Sequence, residues 1–293
     1  MQLSGTGIWS GQLRYGDAGV ITEAAAELDE LGYAAIWIPD VGGDVLGAVE
    51  LLLGATPRAV IATGILNVWM HEPADVAGQR ASWTEAWQRR FLLGLGVSHQ
   101  VLIDHNNPGR YAKPYSKMVE YLDAMDSAIF MAVGPAERPA TVLAALGPKM
   151  LKLAGERTAG AHPYFVPVEH TAQAREILGP DPMLAPEQMV VLETDRTKAL
   201  EIARQGMAIY LRAPNYVNNL ARFGFGEADV ADASERLVDA IVATGGVDAA
   251  VDRVKAHFDA GASHVCVQVL GASLTDVPES GWRDLAAAVN ELN

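Results

Sequence analysis

Three acidic or basic side chains lie one to three residues after predicted strands. Side chains at such positions can meet in the folded protein and transfer protons. Asp40, His71 and His99 each come after an apolar segment with strand character. Histidine exchanges a proton most readily near neutral pH, which makes His71 and His99 candidates for acid–base catalysis. Asp40 could share that work or cap the helix that follows it. His162 lies inside a predicted strand, where a core role is expected.

The second chemical feature is the stretch 140–166, which is predicted as strand, tight turn, helix and strand. The apolar run 141–146 is typical of a buried strand, and Gly147 and Pro148 separate it from a helix. Backbone N–H groups at the positive end of a helix dipole can bind an anion, and Lys149 adds a positive charge. The pattern indicates either a phosphate site or an ordinary strand–helix turn.

Composition and charge limit the classes of function. The formal net charge of −14 opposes binding to nucleic acid or to an anionic membrane. No apolar run reaches the length of a membrane span, and the N-terminal residues lack the pattern of a signal peptide. The single cysteine, Cys266, excludes an internal disulfide framework and fits a reducing cytoplasm. The histidines and carboxylates do not follow a metal-binding spacing, so no metal is expected.

Eight predicted strands alternate with helices, without a linker or a shift in composition. Such alternation is typical of a parallel sheet. Eight units, in somewhat more than the usual barrel length of about 250 residues, predict an α/β fold of the (β/α)8 TIM-barrel type. One domain over 1–293 is expected, with insertions after strands 4 and 7. The strands are expected at 7–10, 34–39, 60–69, 90–96, 141–146, 161–166, 189–193 and 264–270.

Other elements and one alternative fold complete this prediction. Residues 97–114 are expected to form a polar loop, and helices are expected at 73–87, 115–130 and 285–292, among others. A doubly wound open sheet is the alternative, although no Gly-x-Gly-x-x-Gly follows the first strand. In a barrel, the active site lies at the carboxyl ends of the strands, and this rule brings the histidine and turn candidates to one face.

Several segments, in this order, resemble one known superfamily. They include Leu-Gly-Tyr-Ala-Ala-Ile-Trp-Ile-Pro-Asp before residue 41 and Arg-Phe-Leu-Leu-Gly-Leu-Gly-Val-Ser-His before residue 100. The chain resembles the luciferase-like flavin and deazaflavin oxidoreductases, and more closely their actinobacterial branch that uses coenzyme F420. The matching segments are 28–40, 61–69, 90–99, 113–126, 140–166 and 214–220.

The resemblance implies a deazaflavin lying across the mouth of the barrel. It implies a cis peptide bond at Gly64–Ile65 that bulges toward the ring, a contact of Asn67 with the ring edge, and phosphate binding by the turn at 145–149. The residues that would bind the cofactor are Gly64, Ile65, Asn67, Ser98, Ala145, Leu146, Gly147, Pro148 and Lys149.

The same resemblance implies hydride transfer between C5 of F420 and a small organic substrate, in a homodimer. Asp40, His71 and His99 are the catalytic candidates. Several relatives carry a histidine after the aspartate, where this sequence has Val41. An FMN-dependent luciferase-like monooxygenase is one alternative function. A barrel that binds a flavin or another ligand without catalysis is the other.

Overall fold

The structure is a computed structural model that describes residues 3–106, 108–128, 140–273 and 275–292. Within these ranges, eleven strands pair in parallel throughout. The strands run in the order β10-β9-β11-β1-β2-β3-β5-β6-β7-β8, with β4 paired to β5. They are β1 Gly5–Trp9, β2 Ala35–Ile38, β3 Val60–Thr63, β4 Leu66–Asn67, β5 Phe91–Gly96, β6 Thr141–Leu143, β7 Gly160–Ala161, β8 Met183–Leu184, β9 Glu187–Val191, β10 Val242–Thr244 and β11 His264–Val269.

One continuous segment, 183–191, contains both β8, which ends this order, and β9, the second strand from its other end. On one side, the Glu187 backbone N–H donates to Pro163 O over 2.9 Å. On its other side, the Ser263 N–H donates to Leu184 O over 2.8 Å. The parallel sheet therefore curls round on itself in the manner of a TIM-type barrel.

Helices follow most of the strands, and their starting residues explain where they begin. Side chains of Asp17, Asp44 and Asp195 each accept a hydrogen bond from a first-turn N–H, and proline opens several others. The helices are α1 Ala18–Glu30, α2 Val45–Ala55, α3 Pro73–Ser82, α4 Glu85–Arg89, α5 Gln100–Asn106, α6 Pro114–Asp126, α7 Pro148–Arg157, α8 Val168–Leu178, α9 Arg196–Met207, α10 Pro214–Arg222, α11 Glu227–Ala231, α12 Glu235–Ile241, α13 Val247–Asp259 and α14 Glu279–Asn290, with 3-10 turns η1 Gln12–Arg14 and η2 Tyr210–Arg212.

Two apolar clusters pack on opposite faces of the sheet. In β2, Ile36 and Ile38 belong to the cluster between the sheet and the helices, whereas Ala35 and Trp37 belong to the inner cluster. All four side chains are fully buried. This alternation explains why the strand is apolar at every position.

The structure corrects several predicted boundaries. The segment 97–114 contains the helix α5, so it is not a continuous loop. The third strand is interrupted between Thr63 and Leu66, and the helix expected at 73–87 is two helices separated by Trp83 and Thr84. The final helix begins at Glu279 rather than at 285. The predicted end of the helix at 130 lies outside the described residues, and α6 ends at Asp126.

Short strands escaped prediction because they lack a hydrophobic period of their own. β8 and β10 have two and three residues and are defined only by their partners. In the part of the chain that the structure covers, no helix has both the length and the apolar character needed to cross a membrane.

Candidate active site

A large cavity opens at the carboxyl edge of the sheet. It has a volume of about 1400 Å³, above the roughly 300–1,000 Å³ usual for small-molecule sites. Its wall contains ten of the twelve residues predicted for the site: Asp40, Gly64, Ile65, Ser98, His99, Ala145, Leu146, Gly147, Pro148 and Lys149. Residues that follow different strands therefore converge on one space, as the barrel rule requires.

The peptide bond between Gly64 and Ile65 is cis, which confirms the predicted bulge after the third strand. Gly64 O accepts a hydrogen bond from Trp9 Nε1 over 3.1 Å. Ile65 O accepts one from the Asp40 backbone N–H over 3.2 Å. The Ile65 side chain occupies space left by Gly96, where a Cβ would lie 2.4 Å from Ile65 Cγ1. The bulge is thus held by the ends of three neighbouring strands.

Replacing Gly64 with alanine is expected to abolish cofactor binding with a smaller effect on folding. A Cβ at this position would lie 2.6 Å from Trp9 Nε1 and 3.1 Å from His162 Nε2, so one wall of the cavity must move. The check is the dissociation constant of F420 and of FMN for Gly64→Ala, with the circular-dichroism spectrum recorded in parallel. Gly54→Ala in α2 is the matched control, because a Cβ there meets no atom within 4 Å and Gly54 does not line the cavity. Unchanged affinity in Gly64→Ala would contradict the placement of the ring at this wall.

The Asp40 carboxylate holds the loop after the third strand. Oδ2 accepts hydrogen bonds from His71 Nε2 over 2.8 Å and from the Asn67 N–H over 3.1 Å, and Oδ1 accepts one from the Gly42 N–H over 3.2 Å. Burial raises the pKa of Asp40, but these hydrogen bonds outweigh it and the pKa lies below its usual value. An ionised carboxylate with both oxygens engaged suits positioning better than proton abstraction.

Two predicted site residues lie behind the cavity wall. His71 directs Nε2 at Asp40 rather than at the cavity. Asn67 is buried, and its Oδ1 accepts a hydrogen bond from the Trp69 N–H over 3.0 Å. Asn67 therefore supports a turn, the role most common for its residue type. Both side chains therefore help to hold the bulge in place.

His99 is a half-buried imidazole in the cavity wall with a defined tautomer. Its Nδ1 lies 3.0 Å from Asn215 Oδ1, an atom that can only accept, so Nδ1 carries the proton and donates. Burial lowers the pKa of His99 from 6.5, although the hydrogen bond to Asn215 opposes the shift. At neutral pH the unprotonated Nε2 can therefore take up a proton.

His162 also lines the cavity, beside the bulge. Its Nδ1 donates to Ala185 O over 2.7 Å, which leaves Nε2 as an acceptor. Nε2 is buried and has no hydrogen-bond partner among the residues that the structure describes. Trp37 stacks on the ring with centroids 4.3 Å apart, and burial lowers the pKa of His162 to about 4. This histidine is a neutral acceptor in the cavity wall and is unsuited to carry a charge.

The turn before α7 is fixed in an orientation that suits an anion. Leu146 O accepts hydrogen bonds from His170 Nε2 over 2.9 Å and from Arg222 Nη1 over 3.1 Å. Because the C=O and N–H of one trans peptide point in opposite directions, these donors turn the Gly147 N–H away from them. Gly147 lines the cavity and is the N-cap residue of α7, whose first N–H groups have no acceptor within the helix. A helix N-terminus therefore borders the cavity, and its N–H groups could bind an anion.

An aromatic cluster forms another part of the cavity wall. The Tyr164 hydroxyl lies 2.7 Å from Gln268 Oε1 and 2.6 Å from the Tyr210 hydroxyl. Because Oε1 only accepts, Tyr164 donates to Gln268 and accepts from Tyr210. Tyr216 packs against both tyrosines. These contacts tie the segment after α9 to the ends of two strands.

A buried carboxyl group lies close to this wall. Glu187 is 1% exposed, and its Oε2 accepts a hydrogen bond from the Phe165 N–H over 3.2 Å. Its Oε1 is buried and accepts no hydrogen bond from the described part of the chain. Burial raises the pKa of Glu187 to about 8, and the hydrogen bond from Phe165 only partly offsets this shift. The group is therefore mostly neutral at pH 7.

Sequence reasoning did not find Tyr164, Tyr210, Asn215, Tyr216 or Glu187. Tyr210 lies between α9 and α10, and Asn215 lies in the first turn of α10, both far from any strand end in the sequence. Only the folded chain brings them to the cavity. Gln268 and His162 could be found from their positions at or near strand ends.

The parallel sheet and the cavity at its carboxyl edge define an α/β protein of the TIM-barrel type. The sequence matches the model of the luciferase-like monooxygenase family over residues 3–264, so the chain belongs to that family. The family comprises oxidoreductases, which agrees with a cavity of this size that contains acid–base groups.

Solved structures with the same fold include F420-dependent enzymes and a monooxygenase in complex with FMN. An F420-dependent secondary alcohol dehydrogenase, in complex with an F420–acetone adduct, has a TM-score of 0.74 at 15% identity, with 99% of each chain covered. The coenzyme F420-dependent tetrahydromethanopterin reductase of Methanopyrus kandleri also has a TM-score of 0.74, at 17% identity, with 100% of this chain and 99% of that chain covered.

The third structure is the oxygenating constituent of 3,6-diketocamphane monooxygenase of Pseudomonas putida, in complex with FMN. It has a TM-score of 0.71 at 16% identity, with 98% of this chain and 97% of that chain covered. At these identities the likeness establishes the fold.

Proposed function

We propose that this protein is an F420-dependent oxidoreductase that moves a hydride between C5 of the deazaflavin and a small organic substrate. The observation that carries the proposal is one cavity whose wall contains Gly64 and Ile65, where the family resemblance expects the cofactor ring, and the turn at 145–149, where it expects the phosphate. The same cavity holds His99, a neutral base with a free Nε2. Hydride transfer from an alcohol needs such a group, because a proton must leave together with the hydride.

The residues around the cavity fit a phosphorylated deazaflavin or flavin. The N–H groups of Gly147 and Lys149 would hold the phosphate, and the open space beside Gly147 leaves room for it. At the other end, Gly64 leaves the wall without a side chain. The unpartnered Nε2 of His162 supplies a hydrogen-bond acceptor at that wall. A ring system with polar edges and a phosphate at one end matches this distribution of groups.

When bound, the deazaflavin supplies or accepts the hydride at its C5. His99 Nε2 would accept the hydroxyl proton of an alcohol substrate as the hydride leaves the carbon of the same C–O unit, which becomes a carbonyl group. In the reverse direction, the protonated His99 would return that proton to the oxygen. Asn215 keeps Nδ1 protonated, so that Nε2 is the nitrogen that exchanges the proton. Trp9, Tyr164 and Tyr216 would exclude water from the reacting groups.

An FMN-dependent monooxygenase is the second candidate. The turn at 145–149 offers its N–H groups equally to the phosphate of FMN, and one solved structure of this fold contains FMN. The two functions therefore differ in the ring that the cavity prefers and in the substrate that reacts with it.

Titration of the purified protein with F420 and with FMN tests the proposal. Trp9 lies in the cavity wall, so its fluorescence is expected to fall as the ring binds. We expect F420 to bind at least about tenfold more tightly than FMN, which corresponds to about 1.4 kcal/mol. Tight binding of FMN without binding of F420 would favour the monooxygenase. No binding of either cofactor would favour a barrel without this redox chemistry.

A further inference from the structure

Exposed apolar side chains are concentrated at the mouth of the cavity. Val101 and Ile209 are 60% and 63% exposed. In the described ranges of the chain, only Val20 and Met70 are large exposed apolar residues outside the cavity lining. The members of this apolar rim are Tyr15, Val41, Val101, Leu102, Tyr115 and Ile209.

The apolar rim is built from separate parts of the chain. Val41 follows β2, Val101 and Leu102 belong to α5, Tyr115 belongs to α6, and Ile209 follows α9. One amphipathic helix therefore cannot account for it. Apolar surface in contact with water is unfavourable, and a contiguous patch of this kind typically marks a binding site. Because the same residues line the cavity, the rim is continuous with the candidate active site.

The charges of the cavity argue against a cationic substrate. Asp40 is the only carboxylate in the lining that the structure describes, and its oxygens already accept three hydrogen bonds. A buried cation would lack a counter-charge there. The cations of the lining, Lys149 and Arg212, are exposed, and Lys149 lies at the turn assigned to the phosphate.

The volume of the cavity is large for a single small molecule. At about 1400 Å³ it is larger than a usual small-molecule site. His99 Nε2 can accept a hydrogen bond from a hydroxyl group and, once protonated, can donate one to a carbonyl oxygen. His99 directly precedes α5, which carries Val101 and Leu102. A ligand that reaches His99 through the mouth therefore passes these two side chains.

We propose that the substrate is an uncharged molecule with one hydroxyl or carbonyl group and a large apolar body. The polar group would meet His99, and the apolar body would leave the cavity between α5 and Ile209. This inference rests on the proposed function for the redox step, but the binding of the apolar body can be measured without it.

The experiment is a titration of the protein with straight-chain secondary alcohols of increasing length, from propan-2-ol upward, by calorimetry. It is carried out without cofactor and with F420 or FMN present. Each added methylene that contacts the wall or the rim should strengthen binding about fourfold, until the chain extends beyond the rim. For the longer alcohols, Val101→Ser and Ile209→Ser should weaken binding about three- to tenfold. Val20→Ser is the matched control and should leave binding unchanged, because Val20 is 48% exposed but lies away from the cavity.

The outcomes separate this inference from the proposed function. A gain in affinity with chain length that Val101→Ser reduces supports the inference, even where F420 does not bind and the proposed function fails. Affinity that does not change with chain length overturns it, even where F420 binds. Sedimentation velocity gives the third outcome: a loss of dimer in Val101→Ser, without a change in alcohol affinity, would assign the rim to a contact between two copies and overturn the inference.

Discussion

Replacing His99 with alanine is expected to reduce kcat/KM by about 10²- to 10⁴-fold, the usual contribution of a positioned acid–base group. The affinity for F420 should change little, because the cofactor contacts are assigned to the bulge and to the phosphate turn. His99 is chosen over His71 because His71 is bonded to Asp40, whereas His99 Nε2 is free in the cavity wall. Steady-state kinetics with F420 and an alcohol substrate provide the measurement.

The pH dependence distinguishes proton transfer from a packing effect. In the direction of alcohol oxidation, His99 must be neutral, so kcat/KM should fall as the pH drops through the pKa of His99. That pKa is lowered from 6.5 by burial, so the acidic limb should lie below this value. The limb should be absent in His99→Ala.

His105→Ala is the matched control for His99→Ala, since His105 is an exposed histidine of the same helical segment and does not line the cavity. It should retain wild-type kinetics and the wild-type pH profile. If His99→Ala keeps kcat/KM close to wild type, His99 is not the proton carrier and His162 becomes the next residue to test.

The Glu187→Gln variant should gain stability relative to the wild type as the pH rises. The pKa of Glu187 is raised from 4.5 to about 8 by burial. Between these values the unfolded chain releases a proton that the folded chain keeps, so the stability of the wild type falls as the pH rises. The difference in unfolding free energy between Glu187→Gln and wild type should increase by about 3 kcal/mol from pH 5 to pH 8.

Comparing the two pH values removes effects that do not depend on protonation. The extra amide N–H of glutamine lacks a partner beside Oε1, which costs about 1–3 kcal/mol at either pH. His162 and His257 have pKa values lowered by burial to about 4 and about 3, and both the variant and the wild type retain them. Urea unfolding at pH 5 and pH 8 is the measurement.

Glu201→Gln on α9 is the matched control for Glu187→Gln, because Glu201 is exposed. Its unfolding free energy relative to the wild type, measured at the same two pH values, is the reference for the effect of Glu187→Gln. An equal effect of Glu187→Gln at both pH values would mean that Glu187 is not held neutral by the fold.

The sequence was sufficient for features that depend on local pattern. The strands that contain Trp37 and Leu93 can be predicted because buried strands are apolar. The turn at Gly147 can be predicted because Gly and Pro mark the start of the helix that follows. The cis bond at Gly64 was implied by the family resemblance, and its packing against Trp9 and His162 is visible only in the structure.

The remaining site residues could not be predicted because their roles depend on distant partners. His99 acquires its tautomer from Asn215, which is 116 residues away in the chain. Tyr164 meets Tyr210 and Gln268 only after the barrel has formed. His71 was a reasonable candidate by position, but its bond to Asp40 directs its Nε2 away from the cavity. Strand-end position identifies which residues approach the site, and long-range packing decides which of them face it.

The central claim is hydride transfer, and its most direct test follows the transferred atom. The protein would be incubated with reduced F420 that carries deuterium at C5 and with ketones of increasing size, and the products would be analysed by mass spectrometry. We predict one deuterium on the carbinol carbon of the product, and its loss in His99→Ala but not in His105→Ala. Incorporation of an oxygen atom from labelled dioxygen with reduced FMN, without deuterium transfer from F420, would contradict the account.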